Sequence, residues 1–130
     1  MVRQVFVYGT LKRGFSRYYL PTLMRLRRRV EPAELAGALY DLGTYPGLKL
    51  EGEGVVHGEI HLFDQIAQVL RTLDVLEGYY GEGKPANLFV RTLVEARDLR
   101  GRRRYCWAYV LAGTAPAEKL MASGEWTKPS

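Results

Sequence analysis

A single cysteine, Cys106, stands in a chain of 130 residues. It cannot form an internal disulfide, so the fold must hold without cross-links and suits a reducing compartment. No run approaches the roughly 18 consecutive apolar residues that a spanning helix requires, which argues against a membrane protein. The start places Arg3 and Gln4 ahead of a short apolar strand, and lacks the basic segment, apolar stretch and small-residue cleavage site of a signal peptide. These absences predict a cytoplasmic protein. Internal repeats and low-complexity segments are also missing. So are the further glycines that a P-loop or a dinucleotide fingerprint would need.

What is present is the composition of a globular chain, with 47% hydrophobic and 25% charged residues, enough to build a core. The length fits one domain over residues 1–130, since domains commonly run to about 100–150 residues. A formal net charge of +5, gathered in "RLRRR" (25–29) and "RDLRGRRR" (97–104), raises nucleic-acid binding as a possibility. Against it, no aromatics interleave the arginines and no reading motif is present. The second cluster also surrounds Gly101 at a hairpin tip, where charge serves solubility. The expectation is therefore no nucleic-acid partner and, with no coiled-coil seam, a monomer.

Periodicity then orders the elements. Gln4 to Tyr8 reads as a buried strand broken by Gly9. "YYLPTLMRLRRR" has helix-compatible spacing at Tyr19, Leu20, Leu23, Met24 and Arg27, with Pro21 in the first turn. "AELAGALYDL" reads as extended and ends at the turn cluster "GTYPGL". "VVHGEIHLF" alternates, with Val56, Gly58, Ile60 and Leu62 on the face toward the core. From Gln65 to Leu76 the pattern Ile66, Val69, Leu70, Leu73, Leu76 is that of an amphipathic helix, with Asp64 as N-cap and Gly78 as its stop. "LFVRTLVEA" and "YCWAYVL" read as a hairpin about Gly101. The tail holds one helical turn, with Trp126 anchoring the terminus. Such an order does not alternate as a parallel α/β domain would, so the fold class is α+β with a mixed, mostly antiparallel sheet.

Four groups invite a chemical reading. In "YGTL", Tyr8 to Leu11, a strand runs into a glycine turn whose successive N–H groups could form a nest for carboxylate or phosphate. An ordinary turn would look the same. Glu77 lies four residues after Leu73, on the apolar side of a helix C-terminus, where the dipole disfavours negative charge. Desolvation there would raise its pKa toward the range of a general base, whereas reaching out to solvent or pairing with Lys84 or Arg91 would leave it without a chemical role. His57, Glu59 and His61 share a strand face, but alternate positions lie about 7 Å apart, too wide for one zinc ion. They read as a solvated or partly covered face, with no metal. Cys106, in "YCWAYV", has no histidine nearby in the sequence and reads as a small buried hydrophobe.

Taken in order, "VFVYGTLKRG", "LYDLGTYPGL", "VHGEI", "LDVLEGY", "LFVRTLVEA", "WAYV" and "SGEW" resemble the γ-glutamylcyclotransferase-like superfamily, particularly its γ-glutamylamine cyclotransferase and AIG2-like branch. The resemblance runs nearly end to end and rests on the joint order of the motifs. It implies a mixed sheet curled into a small partial barrel with a few flanking helices and a cavity at one end. It further implies that Tyr8, Gly9, Thr10 and Leu11 hold the α-carboxylate of a γ-glutamyl substrate, that Glu77 is the catalytic acid–base, and that Tyr109 lies near the cavity. The reaction so implied releases 5-oxoproline and a free amine without a cofactor; a non-catalytic small-ligand domain of the same fold is the alternative. Two departures bear on the pocket: "FSRYY" replaces a segment in which many relatives have Asn or His, and Phe89 stands where tyrosine is common.

Overall fold

A computed structural model describes residues 1–129. Five strands, β1 (Gln4–Val7), β2 (Arg27–Ala36), β5 (Val55–Phe63), β6 (Phe89–Asp98) and β7 (Arg103–Leu111), close into a barrel in the order β1-β5-β2-β6-β7. Neighbours are antiparallel except at the seam, where β1 meets β7 in parallel through Val5 and Trp107. The α+β class and the mostly antiparallel sheet agree with the sequence reading; the seam completes what was expected to be a partial barrel. Outside it lie a hairpin of β3 (Ala38–Asp41) and β4 (Pro46–Lys49) and two helices, α1 (Pro21–Leu26) and α2 (Ile66–Leu76).

Strand alternation sorts the core into two layers. Phe6, Ala33, Ile60, Ala96 and Ala108, one from each barrel strand, belong to a single buried cluster that fills the interior. The opposite faces, through Val5, Val7, Phe63, Phe89, Tyr109 and Leu111, pack against Val69, Leu70 and Leu73 of α2. Burying each such aliphatic side chain contributes about 1.5–3 kcal/mol. Trp126 is buried in the interior cluster, as its anchoring role requires, and its carbonyl accepts a hydrogen bond from Lys12 Nζ at 2.9 Å.

Local readings needed three corrections. Helix α1 ends at Leu26, and Arg27–Arg29 already belong to β2; pairing with β5 overrides the helical spacing. Asp64 does not cap α2, whose N-cap is Gln65 in a left-handed conformation (φ 50°). The Asp64 carboxylate instead pairs with Arg3 and Arg28. Pro46 and Gly47, read as turn residues, begin β4. The His57–Phe63 face of β5 is partly covered, one of the two states expected of it: His61 and Phe63 are fully buried, with Tyr18 stacked edge-on against His61.

Candidate active site

Tyr8 to Leu11 leave the end of β1 at the barrel rim. At Gly9 a Cβ would lie 2.7 Å from Pro46 Cγ, so only glycine lets the loop pass so close to β4. The turn is closed by the Lys12 amide donating to the Gly9 carbonyl at 3.0 Å, and the Thr10 carbonyl accepts the Arg17 amide at 3.0 Å. Among the described residues, the N–H groups of Gly9, Thr10 and Leu11 donate to no protein acceptor. Three amide donors at a rim, unspent on the fold, have the character of an anion nest.

Across the rim, α2 stops in a Schellman turn. The Tyr79 amide reaches the Asp74 carbonyl at 2.9 Å, the Gly78 amide reaches that of Val75, and Gly78 supplies the required left-handed residue (φ 63°). This stop makes Glu77 the C-cap. Among the described residues its carboxylate accepts no hydrogen bond and forms no ion pair. Arg91, one of the partners that would have made it structural, is committed to Asp74 through contacts of 2.9 and 3.1 Å. Burial therefore governs Glu77 and pushes its carboxyl up to about 7, with the Arg17 charge acting in the opposite sense.

The two tyrosines form the floor. Tyr109 donates its hydroxyl to Asp74 Oδ1 at 2.7 Å, and the Tyr8 hydroxyl donates to the Tyr109 carbonyl at 2.6 Å. Burial raises both phenols, helped at Tyr109 by the Asp74 carboxylate and at Tyr8 by the charge of Glu77. Neither phenolic proton is free, so each hydroxyl is held in place and keeps its charge neutral. Arg91, which fixes Asp74, lies 5.4 Å from the Tyr79 ring and 5.3 Å from that of Trp107.

A cavity of about 100 Å³ opens between these groups, and all six residues singled out from the sequence line it: Tyr8, Gly9, Thr10, Leu11, Glu77 and Tyr109. Arg17, Tyr45, Pro46 and Leu88 also line it, and sequence reasoning had assigned them no part. Only the "FSRYY" departure flagged the place of Arg17. Tyr45 and Pro46 arrive through the β3–β4 hairpin, and Leu88 through a hydrogen bond of its amide to the Gly78 carbonyl. Phe89 also lines the wall, its ring 6.0 Å from that of Tyr45.

The remaining candidates lie apart from this cavity. His61 Nδ1 accepts from Arg27 Nε at 3.1 Å, which places the proton on Nε2, 2.9 Å from Glu59. Burial lowers the His61 pKa, and His57 is exposed on the same strand. Among the described residues no group of three His, Cys, Asp or Glu side chains is placed to hold a metal ion. Cys106 is buried in the barrel with its thiol pushed up to about 12, the state of an inert hydrophobe. No helix among the described residues is long and apolar enough to cross a membrane.

The fold and cavity define a small barrel protein in which an unpaired acid and a loop with three unused amides line one cavity. Residues 5–128 match the family model described as "Gamma-glutamyl cyclotransferase, AIG2-like", and the chain belongs to that family. It is 37% identical over 127 residues to a Vibrio cholerae protein provisionally named a gamma-glutamylcyclotransferase, covering 97% of this chain and 96% of the relative. It is also 37% identical over 108 residues to the gamma-L-glutamyl-butirosin B gamma-glutamyl cyclotransferase of Niallia circulans, covering 82% of this chain and 65% of the relative. Among solved structures, an AIG2-like protein from Mus musculus superposes with a TM-score of 0.71 at 27% identity, over 96% of this chain and 88% of that one.

Proposed function

We propose that the protein is a γ-glutamylcyclotransferase, acting as one domain on a small γ-glutamyl substrate. The observation that carries this reading is the pairing, across one cavity, of an ionisable group near neutrality with backbone donors that nothing else uses. The amides of Gly9, Thr10 and Leu11 take the substrate's α-carboxylate. That contact turns the α-ammonium toward Glu77, with Tyr8 and Tyr109 bounding the glutamyl chain.

Glu77 accepts a proton from the ammonium. The freed amine attacks the γ-carbonyl carbon, forming the ring C–N bond and a tetrahedral oxyanion. As the bond to the departing nitrogen breaks, protonated Glu77 returns its proton there. The ring nitrogen's second proton passes to Glu77, a carboxylate again, and from there to the released amine, leaving the lactam N–H of 5-oxoproline, an ammonium product and Glu77 in its starting state. Holding both reacting ends of one molecule in place removes about 7–11 kcal/mol of entropic and solvent-reorganisation barrier in well-oriented cases. A base with a pKa near the working pH both takes and returns a proton with small driving force lost.

The test is 5-oxoproline release from a panel of γ-glutamyl amines and peptides, with Glu77→Gln beside the wild type. Release from at least one substrate, reduced about 10²–10⁴-fold in the variant, is expected. Equal release by both proteins removes Glu77 from the chemistry. Binding without product in the wild type points to a ligand-binding domain.

A further inference from the structure

Arg17 is the cation that lines the cavity, and its guanidinium has no hydrogen bond or ion pair among the described residues. Exposed arginines such as Arg25, Arg29, Arg71 and Arg100 also lack a side-chain partner among these residues, but the other half-buried ones, Arg27, Arg91 and Arg104, all hold one. Nor is Arg17 a loosely presented surface charge. It sits in a 3₁₀ turn, Ser16–Tyr19, whose neighbours are fixed on both sides. The Arg17 amide donates to Thr10 within the substrate loop, and the Tyr18 carbonyl accepts from Arg27 Nη1 at 3.0 Å. The Arg27 guanidinium packs 3.9 Å from the Tyr18 ring centre. The turn is thus built to hold a residue in place, while the side chain it presents to the cavity is left without a protein anion.

The one carboxylate that shares the wall, Glu77, forms no ion pair with it. A partly desolvated guanidinium without a counter-charge is costly, and bidentate binding of a carboxylate relieves that cost. In the γ-glutamyl reading, on which this inference rests, the α-carboxylate is already taken by the loop amides and the α-amine by Glu77. The substrate atoms left to reach Arg17 belong to the departing amine.

We propose that Arg17 is a specificity residue that binds a carboxylate on the leaving group, so that the preferred substrates are γ-glutamyl amino acids or peptides rather than γ-glutamyl amines without an acid. Nothing in this role requires Arg17 to take part in the bond-breaking step. Its effect lies in the ratio between two substrates that differ only by that acid.

γ-Glutamylalanine and γ-glutamylethylamide form such a pair, the second being the first without its leaving-group carboxylate. The experiment measures calorimetric binding of each to Glu77→Gln, which does not consume them, and kcat/KM of each with the active enzyme, both with and without Arg17→Gln. γ-Glutamylalanine is expected to be favoured by about tenfold to a hundredfold, the range of a hydrogen bond to a charged group. Arg17→Gln should bring the ratio near one and Arg17→Lys should keep part of it. Thermal melts of each variant report folding.

No preference in the parent protein overturns the inference and leaves the cyclotransferase reading intact. A preference that survives Arg17→Gln overturns it as well. So does an equal loss for both compounds, which would assign Arg17 to the α-carboxylate. If neither compound binds or reacts, the γ-glutamyl reading fails and the inference falls with it.

Discussion

At the tip of the β6–β7 hairpin, Asp98 is a buried carboxylate among arginines; elsewhere, lining the cavity, Glu77 is a partly buried carboxylate that shares it with one. Burial raises both, yet the outcomes are opposite. Asp98 accepts from the amides of Arg100 and Arg102, from Arg102 Nε and from Arg104 Nη1, at 2.9–3.2 Å, and these contacts outweigh desolvation and bring it to about 2. Glu77 accepts nothing from the described residues and stands near 7. The contrast separates a carboxylate used to build a turn from one kept available. It also explains much of the charge in "RDLRGRRR": Arg104 bridges Asp98 and Glu31, and Arg102 caps the hairpin.

The sharpest way to break this contrast is to neutralise each acid and follow stability with pH. Glu77 has a folded pKa above its ordinary 4.5. Its contribution is therefore most favourable below that value and is lost as pH rises through about 7. Glu77→Gln should stabilise the protein above pH 7 by up to about 3 kcal/mol, with the gain vanishing in acid. Asp98 has the reverse sign: its folded pKa lies below 3.8, so its contribution is present above that pH and is lost as pH falls through about 2. Asp98→Asn should lower the melting temperature at neutral pH without affecting 5-oxoproline release. Urea melts at several pH values decide both; the same sign for the two variants would dissolve the distinction.

A smaller effect is expected where the two kinds of carboxylate meet. Asp74 is fully engaged, by Arg91 and by the Tyr109 hydroxyl, and lies one turn before Glu77 on α2. Tyr109→Phe removes one of those bonds and should cost about 1 kcal/mol of stability. KM should rise more than kcat falls, because the hydroxyl proton is committed to Asp74 rather than to the reaction. A collapse of kcat with KM unchanged would instead give Tyr109 a part in the chemical step.

Much of this site was legible in the sequence because its key groups break local rules. Glu77 stands at the wrong end of a helix for an acid, and Gly9 interrupts a strand where nothing else demands a turn. The walls were less legible. Arg17 is one of many arginines in the sequence, and only the tertiary pairing of the other half-buried ones, Arg27, Arg91 and Arg104, sets it apart. Pro46 and Gly47 carry turn chemistry but serve as a strand, since Gly47 must let Leu42 and Leu111 approach. Asp64 had the signature of an N-cap, yet two arginines distant in sequence, Arg3 and Arg28, hold it elsewhere. Spacing reports what one element prefers; it does not report which partner another element brings.

The availability of Glu77 is best tested by titrating it alone. Carbon-detected NMR of protein labelled at the glutamate side-chain carboxyl, with Glu77 assigned by its absence in Glu77→Gln, gives its pKa from the shift between pH 3 and 9. A resonance titrating near 7 is the predicted result. Titration near 4, with the ordinary glutamates, would contradict it and show that Glu77 is either solvated or paired.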